Sequence, residues 1–282
     1  MKQYKSHAKI NRFLHVLKKR PDGLHDIQSL FQLIDLSDCI SFKKRRDNKI
    51  IIKSNIKELE RKNIIFDTVS LIKKVFPKKN IGLDIKLEKQ IPLGSGLGGG
   101  SSNAATTLKA INCMYKLNMK KSKLLTLASK LGCDVPFFIN EGNAWVEGKG
   151  DILTNIFIQS CTFILILSNQ VISTQDAYRN IKLHEKLNDM SYEDFLHGNT
   201  SNSFEYYVFN KYPAIKKAAN TLSKFGPVHL SGTGGTIFLP EPDHNKAFKK
   251  YQWPIIDVTR KSVEETAASV IKIHEIFSNN KK

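Results

Sequence analysis

The chain has 282 residues, of which 41% are hydrophobic and 25% are charged, a composition typical of a soluble globular protein with ample length for a core. No apolar run approaches the ~18 residues that a membrane helix needs, and the polar first residues lack the apolar segment of a signal peptide. We therefore exclude a membrane-spanning protein and expect no membrane partner.

The formal net charge is +18, from 44 basic and 26 acidic residues, which makes nucleic acid a rival partner. The excess is mostly lysine, spread along the whole chain and accompanied by many Ile and Asn residues, a pattern that A/T-rich coding produces. We therefore predict no nucleic-acid partner, and we expect the charge to help collect an anionic substrate.

The cysteines form no C-x-x-C pair, so their spacing indicates neither a zinc site nor a disulfide framework. Reduced thiols and a cytoplasmic location follow as expectations. Cys133 is interpreted as a packing residue. The full set is Cys39, Cys113, Cys133 and Cys161.

The first predicted elements mix strands and a helix. Phe13–Leu17 and Ile27–Leu36 are predicted strands, and Asp67–Phe76 is a predicted helix that ends before Pro77. From Ile81 to Glu88 apolar and polar residues alternate, which predicts a half-buried strand. Pro92 ends that segment because proline cannot continue a strand ladder.

Directly after this strand lies a glycine loop, residues 92–102, in which five glycines fall within the seven residues from Gly94 to Gly100. Ala104, Leu108 and Ile111 then recur at helical spacing, and Ser101 to Asn103 are predicted N-cap residues. Glycine lets the backbone approach a ligand closely, and a helix start offers unpaired N–H groups. The order strand, glycine loop, helix therefore predicts a phosphate site.

Three common types of phosphate loop fit this segment poorly. A P-loop needs a lysine that reaches the phosphates, and none lies between Lys89 and Lys109. A dinucleotide loop needs an acidic residue about 20 positions on, and none lies between Glu88 and Asp134. The lysine and His-Arg-Asp loop of protein kinases are also missing. A purely structural glycine turn stays open as an alternative.

The later part of the chain carries further elements. Ser122 is a predicted N-cap for a helix over Lys123–Leu131, and Asp134 follows that helix closely. A domain boundary is predicted near residue 155, and a new series of strands and helices follows it. Further predicted elements are the strand Phe163–Leu167, a strand over His229–Leu239 broken by a glycine turn, and a helix over Val263–Phe277.

The stretch Pro92–Ala105 resembles the phosphate loop of the GHMP kinases, a family that includes galactokinase, homoserine kinase and mevalonate kinase. Further segments resemble the branch of that family that phosphorylates the 2-hydroxyl of 4-diphosphocytidyl-2-C-methyl-D-erythritol, in the non-mevalonate isoprenoid pathway. They occur in the family's order as Ala8–Asn11, Arg20–His25, Leu131–Phe138 and Leu230–Gly235.

The resemblance implies an α+β fold with two domains. Residues 1–155 would form an N-terminal ribosomal-S5-like domain that binds ATP, and residues 156–282 a C-terminal ferredoxin-like domain, with the active site in the cleft between them. It further implies ATP and Mg²⁺ as cofactors, without assigning metal ligands, and a monomer or homodimer.

The resemblance also implies roles for individual residues. Asp134 would accept the proton of the substrate hydroxyl, and Lys9 would be the active-site lysine that stabilises charge on the transferring phosphoryl group. Asn11, His25, Thr174 and Tyr178 would bind the cytidyl substrate. ATP would be bound by Pro92, Leu93, Gly94, Ser95, Gly96, Leu97, Gly98, Gly99, Gly100, Ser101 and Ser102.

The chain departs from the family pattern at the base pocket. Leu24 stands where the family has tyrosine, so one stacking partner for cytosine is missing, and Tyr178 aligns with an aromatic for the other face. The segment Ile172–Gln175 also differs from the family's usual form. Two alternatives remain open: another GHMP kinase acting on homoserine, mevalonate or a sugar, and an RNA-binding protein that uses an S5-like domain.

Overall fold

The computed structural model describes residues 1–158, 162–168, 170–181, 189–198 and 200–240. Within these residues strands and helices intermix, which confirms the α+β class. The predicted helix Val263–Phe277 and Cys161 lie outside the described residues.

Two compact units divide the chain. The first unit comprises residues 1–8, 37–91 and 98–142, and the second unit comprises residues 9–36, 92–97 and the chain from residue 143 onward. Strands β1 and β2 contribute residues to both units, and so does the glycine loop, which divides between Leu97 and Gly98. The domain boundary near residue 155 stays a prediction.

In the first unit a sheet packs against helices. Strand β4 pairs in parallel with β3 and antiparallel with the Cys39–Arg45 part of β2. Apolar side chains of β4 and α1 are buried, as their spacing requires. The elements that begin in this unit are β1 (Lys2–Lys19), β3 (Ile50–Ser54), α1 (Ile64–Val75), β4 (Gly82–Glu88), α2 (Gly99–Met114), α3 (Lys121–Ala128) and α4 (Val135–Asn140), with β2 (His25–Arg45) entering from the second.

In the second unit the Ser29–Phe31 part of β2 pairs antiparallel with β5, which pairs with β6, while β8 and β7 flank β9 in an antiparallel sheet. Apolar residues of α5, α7, α8 and β9 form one buried cluster with Leu14 and Val16 of β1. The elements are β5 (Ala144–Glu147), β6 (Ile152–Asn155), β7 (Phe163–Leu167), α5 (Thr174–Asn180), α6 (Tyr192–Leu196), α7 (Glu205–Lys211), α8 (Pro213–Leu222), β8 (His229–Ser231) and β9 (Thr236–Pro240).

The expected strands are confirmed, but several boundaries differ. The strands predicted at 13–17 and 27–36 lie inside the much longer β1 and β2. Helix α1 begins at Ile64, before the predicted Asp67, because the Asn63 side chain caps it by accepting a hydrogen bond from the Ile65 N–H at 3.1 Å. Helix α3 begins at Lys121, so Ser122 lies inside the helix and does not cap it.

Candidate active site

The start of helix α2 forms the part of the glycine loop that belongs to the first unit. Gly98 has a φ of 69°, a left-handed conformation that glycine adopts without strain, and α2 begins at Gly99. Its first helical hydrogen bond runs from the Ser102 N–H to the Gly98 carbonyl, at 2.9 Å. The N–H groups of residues 98–101 therefore precede the helical bonding pattern and can receive an anion.

This start corrects the expected cap. Ser101, Ser102 and Asn103 were expected to precede the helix, but all three lie within α2, and Gly98 occupies the N-cap position. A serine or asparagine cap would use its side chain to satisfy one of the first N–H groups. Gly98 has no such side chain, so these N–H groups stay available to a bound group.

Gly99 and Gly100 are adjacent but serve different purposes. A Cβ at Gly99 would lie 2.8 Å from Lys89 Nζ and 2.9 Å from Ile91 Cγ2, so this glycine permits close packing within the protein. A Cβ at Gly100 would meet nothing within 4 Å, and Gly100 is exposed. The open side of the helix start is therefore at Gly100.

The rest of the glycine loop packs against the glycine turn between β8 and β9. A Cβ at Gly96, where φ is 78°, would overlap the Ser231 carbonyl oxygen, and one at Gly234 would overlap the Gly96 nitrogen. The Ser231 hydroxyl donates to the Gly96 carbonyl at 3.1 Å. Backbone therefore lies directly on backbone, and side chains at Gly96 and Gly234 would separate the two segments.

Lys9 and Asn11 lie beside this part of the loop, within the second unit. The Lys9 backbone N–H donates to the Leu97 carbonyl at 3.0 Å, and the Lys9 ammonium donates to the Asn11 side-chain oxygen. The ammonium also lies 4.1 Å from the centroid of the Phe31 ring, a cation–π contact. Lys9 is only 3% exposed, so sequence alone, which gave no reason to bury this lysine, could not place it.

Asn11 joins the lysine to the glycine turn. Its side-chain amide donates to the Ser29 hydroxyl at 2.9 Å, and its backbone N–H donates to the Ser231 hydroxyl at 3.3 Å. Asn11 is 1% exposed. Lys9, Asn11, Gly96 and Ser231 therefore form one hydrogen-bonded cluster in the second unit.

Asp134 belongs to the first unit, at the N-cap position of α4. It is partly exposed and directly precedes Val135, whose N–H donates to the Gly132 carbonyl at 3.2 Å. The interpretation of Cys133 as a packing residue is wrong, because its side chain is exposed in the turn before α4.

The structure brings two of the expected substrate residues together. The His25 and Tyr178 rings have centroids 5.0 Å apart, and Tyr178 packs edge-on against Phe204 at 4.8 Å. Carbon atoms in contact lie about 3.5–4.0 Å apart, so a base cannot enter between two rings that already touch. A further ring could therefore lie only beside this pair.

The surroundings of the pair fit a polar ligand. Partial burial and the nearby Lys19 charge lower the pKa of His25, so its imidazole is neutral at pH 7 and can both donate and accept. Leu24, on the same hairpin, is 42% exposed. Thr174 Oγ1 lies 3.1 Å from Thr233 Oγ1, which links α5 to the glycine turn.

Neither a metal-binding cluster nor a membrane-spanning helix occurs in the part of the chain that the structure describes. These residues contain no group of three or more His, Cys, Asp and Glu side chains that could hold a metal ion. No helix in the described ranges is long and apolar enough to cross a bilayer.

Two family models match the chain. The model of the GHMP kinases N terminal domain matches residues 63–142, and that of the GHMP kinases C terminal domain matches residues 181–252. The first match contains the whole glycine loop and Asp134. Together the two matches confirm the expected GHMP kinase fold.

Curated relatives match most of the chain. The 4-diphosphocytidyl-2-C-methyl-D-erythritol kinase of Francisella philomiragia is 39% identical over 251 residues, which cover 87% of this chain and 90% of that protein. The enzyme of the same name from Acinetobacter baylyi is 41% identical over 243 residues, covering 83% and 85% respectively. The similarity therefore extends over nearly the whole length of these relatives.

Solved structures agree with this relationship. A crystal structure of 4-(cytidine 5'-diphospho)-2C-methyl-D-erythritol kinase has a TM-score of 0.73 and 28% identity, covering 84% of this chain and 89% of that chain. The Methanococcus jannaschii mevalonate kinase has a TM-score of 0.61 at 16% identity, covering 88% and 92%, and shares the fold.

The contrast between two glycines gives a stability prediction. Gly96→Ala should lower the free energy of unfolding by roughly 1–3 kcal/mol or more, because the new Cβ meets the Ser231 carbonyl oxygen at a positive φ. Gly100→Ala should raise it by about 0.5–1 kcal/mol, because alanine favours the helix and meets no neighbour. Urea unfolding of both variants measures the difference, and equal stabilities would contradict the packing described at Gly96.

Proposed function

The chain belongs to the 4-diphosphocytidyl-2-C-methyl-D-erythritol kinase family of the GHMP kinases, and from that premise we propose how its residues carry out the reaction. It is a kinase that phosphorylates 4-diphosphocytidyl-2-C-methyl-D-erythritol in the non-mevalonate isoprenoid pathway. The observation that carries this conclusion is the 39% identity to a kinase of that name, over 90% of that kinase's length. We propose the 2-hydroxyl of the substrate as the phosphate acceptor.

ATP is the phosphate donor of this family, and we propose that the glycine loop, residues 92–102, holds it. The N–H groups of residues 98–101 would hold the phosphates, since they precede the first helical hydrogen bond at Ser102. The open side of the backbone at Gly100 leaves room for them. The hydroxyl of Ser101, which is partly exposed, would add a further donor.

Asp134 and Lys9 are proposed as the catalytic residues. Asp134 would accept the proton of the attacking hydroxyl, a role for which a partly exposed carboxylate at the start of a short helix is suited. Lys9 would stabilise charge on the transferring phosphoryl group. Its contacts with Asn11 and Phe31 hold the ammonium in place before any ligand binds.

Asn11, His25, Thr174 and Tyr178 are proposed to bind the cytidyl part of the substrate. Support for His25 comes from its lowered pKa, because a neutral imidazole can pair with both donors and acceptors on the edge of cytosine. Tyr178 orients the His25 ring by direct contact. Leu24 supplies an apolar surface where an aromatic ring would give a stronger stack.

The metal ion, the oligomeric state, the partners and the cellular location are also proposals. Mg²⁺ would be bound largely through the ATP phosphates, as this ion usually is in kinases, and would neutralise their charge. We propose a monomer or homodimer with small-molecule ligands and no nucleic-acid partner. A cytoplasmic location is consistent with the free thiols of Cys39 and Cys113.

The direct test of this function is ADP release with purified protein and ATP. The cytidyl substrate should give turnover that depends on Mg²⁺, and mevalonate, homoserine and galactose should each give background rates. Faster turnover with any of those three would contradict the assigned substrate. RNA binding without turnover of any of the four would contradict the kinase assignment itself.

Catalysis by Asp134 and Lys9 predicts non-additive losses. Asp134→Asn should lower kcat by roughly 10²–10⁴-fold while ATP still binds. Lys9→Met keeps the apolar stem beside Phe31 and removes the charge, so it should also lower kcat steeply. The double variant should lose much less than the product of the two losses, because residues that act as a unit are not additive.

The control for this series is Glu141→Gln, which neutralises an exposed carboxylate just after the other end of α4. It should keep kcat near that of the wild type. Turnover of Asp134→Asn within a few-fold of Glu141→Gln would assign Asp134 a structural role. Fully multiplicative losses in the double variant would show that Lys9 and Asp134 act independently.

The proposed base pocket predicts opposite changes in the KM for the cytidyl substrate. Leu24→Tyr should lower that KM, because base–aromatic stacking is worth roughly 1–3 kcal/mol. Tyr178→Ala should raise it through loss of the ring that supports His25. The KM for ATP is the internal control and should change little in both. A higher cytidyl KM in Leu24→Tyr, or an unchanged one in Tyr178→Ala, would contradict the position of the pocket.

A further inference from the structure

A buried carboxylate, Asp38, lies beneath the start of helix α2 in the first unit. Asp38 belongs to strand β2 and is 0% exposed. Asp38 belongs to none of the motifs in the sequence, and it is not among the residues proposed above to contact ATP or the cytidyl substrate. Burial of a charged group is costly unless strong partners satisfy it, so its partners indicate what it is for.

Four donors converge on this carboxylate. Oδ1 accepts from the backbone N–H groups of Gln90 and Ile91, at 2.8 and 2.9 Å. Oδ2 accepts from the Asn103 side-chain amide at 2.8 Å and from the Lys89 ammonium. A carboxylate has about four lone-pair sites, so Asp38 is fully used.

These donors come from the two flanks of the glycine loop. Gln90 and Ile91 directly precede Pro92, where the loop begins, and Asn103 lies in α2 just after the loop ends. One side chain of a neighbouring strand therefore holds both the entry to the loop and the helix that leaves it. Neither flank would be held as firmly by water, which can exchange.

Lys89 extends this contact to the first residue of α2. Burial lowers the pKa of Lys89, and the adjacent Asp38 carboxylate opposes part of that shift. A Cβ at Gly99 would lie 2.8 Å from Lys89 Nζ, which means that the ammonium packs directly against the helix start. The ion pair thereby fixes the backbone that begins the phosphate site.

A second set of hydrogen bonds continues the network along α2. Asn103 also donates to the Ser6 hydroxyl at 3.0 Å, and Ser6 donates to the Ser102 hydroxyl at 2.8 Å. Asn55 holds the Lys89 backbone, accepting from its N–H at 2.8 Å and donating to its carbonyl at 2.9 Å. All of these polar groups belong to the first unit.

We propose that Asp38 is a positioning residue for phosphate binding: it holds the two flanks of the glycine loop so that the N–H groups of residues 98–101 face the ATP phosphates. The inference rests on the proposed nucleotide site. Asp38 itself touches neither ATP nor the acceptor substrate, and it acts through the backbone that it holds. A displacement of about 1 Å at a site that positions reacting groups can cost up to ~10²-fold in reaction rate, and weaker contacts with the phosphates would raise the dissociation constant of ATP as well.

The test is Asp38→Asn, which keeps the shape of the side chain. The amide oxygen can still accept two hydrogen bonds, but the NH₂ group then faces the Asn103 amide and the Lys89 ammonium, which are both donors. The dissociation constant of β,γ-imido-ATP, measured by calorimetry below the unfolding temperature, should rise about 10- to 100-fold. The dissociation constant of the cytidyl substrate should stay within about twofold of the wild-type value.

The matched control is Ile52→Ala, a truncation of a buried residue in β3 of the same unit. It should lower the unfolding temperature without changing the dissociation constant of the ATP analogue. If Asp38→Asn lowers the unfolding temperature in the same way and leaves that constant unchanged, Asp38 is merely structural and the proposal is overturned. If Asp38→Asn does not fold, Asn103→Ala is measured in its place. The dissociation constant of the ATP analogue should then rise several-fold, and an unchanged constant would overturn the proposal.

Gly100→Val, measured in the same series, separates this inference from the nucleotide site on which it rests. Its Cβ has no neighbour within 4 Å among the described residues, so the variant should fold and obstruct only a bound phosphate. Weaker binding of the analogue by Gly100→Val but not by Asp38→Asn would overturn the role of Asp38 alone. Unchanged binding in both would overturn the proposed ATP site together with the inference.

Discussion

The site depends on one constraint: the backbone of the glycine loop lies directly against neighbouring atoms of the protein, with no side chain of its own between them. Gly96 lies against the Ser231 carbonyl and Gly99 lies against Lys89 and Ile91. Each contact fixes one part of the glycine loop within the unit to which it belongs. The loop therefore holds its shape through the protein's own packing, and the N–H groups of residues 98–101 are arranged before any ligand binds. This is the preorganisation that phosphoryl transfer requires, since most of its catalysis is positioning and charge stabilisation.

Buried polar groups supply the rest of that arrangement. Lys9 is held by Asn11 and Phe31, and Asp38 is held by four donors. In both cases a charged side chain is removed from water, and neighbouring polar or aromatic groups compensate its charge. Burial costs the side chain its solvation but restricts its conformation. The position of the Lys9 ammonium is therefore fixed by its contacts and no longer depends on a flexible side-chain stem.

Much of the local structure could be predicted from sequence. The alternation from Ile81 to Glu88 and the glycines that follow it are local patterns, and the structure confirms the strand and the helix after them. The helix start could not be predicted, because the rule that favours serine or asparagine caps competes with a glycine at a φ of 69°. Asp38 could not be linked to Ile91, since no spacing rule joins residues 53 positions apart. The assigned catalytic roles of Lys9 and Asp134 came from family resemblance, since neither residue stands out by spacing alone.

The central claim is that the backbone at the start of α2 binds the phosphates of ATP. A crystal structure with β,γ-imido-ATP tests it most directly. The account predicts phosphate oxygens within hydrogen-bond distance, about 2.7–3.2 Å, of the N–H groups of residues 98–101, with Gly100 facing the ligand. Phosphates bound elsewhere, with these N–H groups facing only solvent, would contradict it.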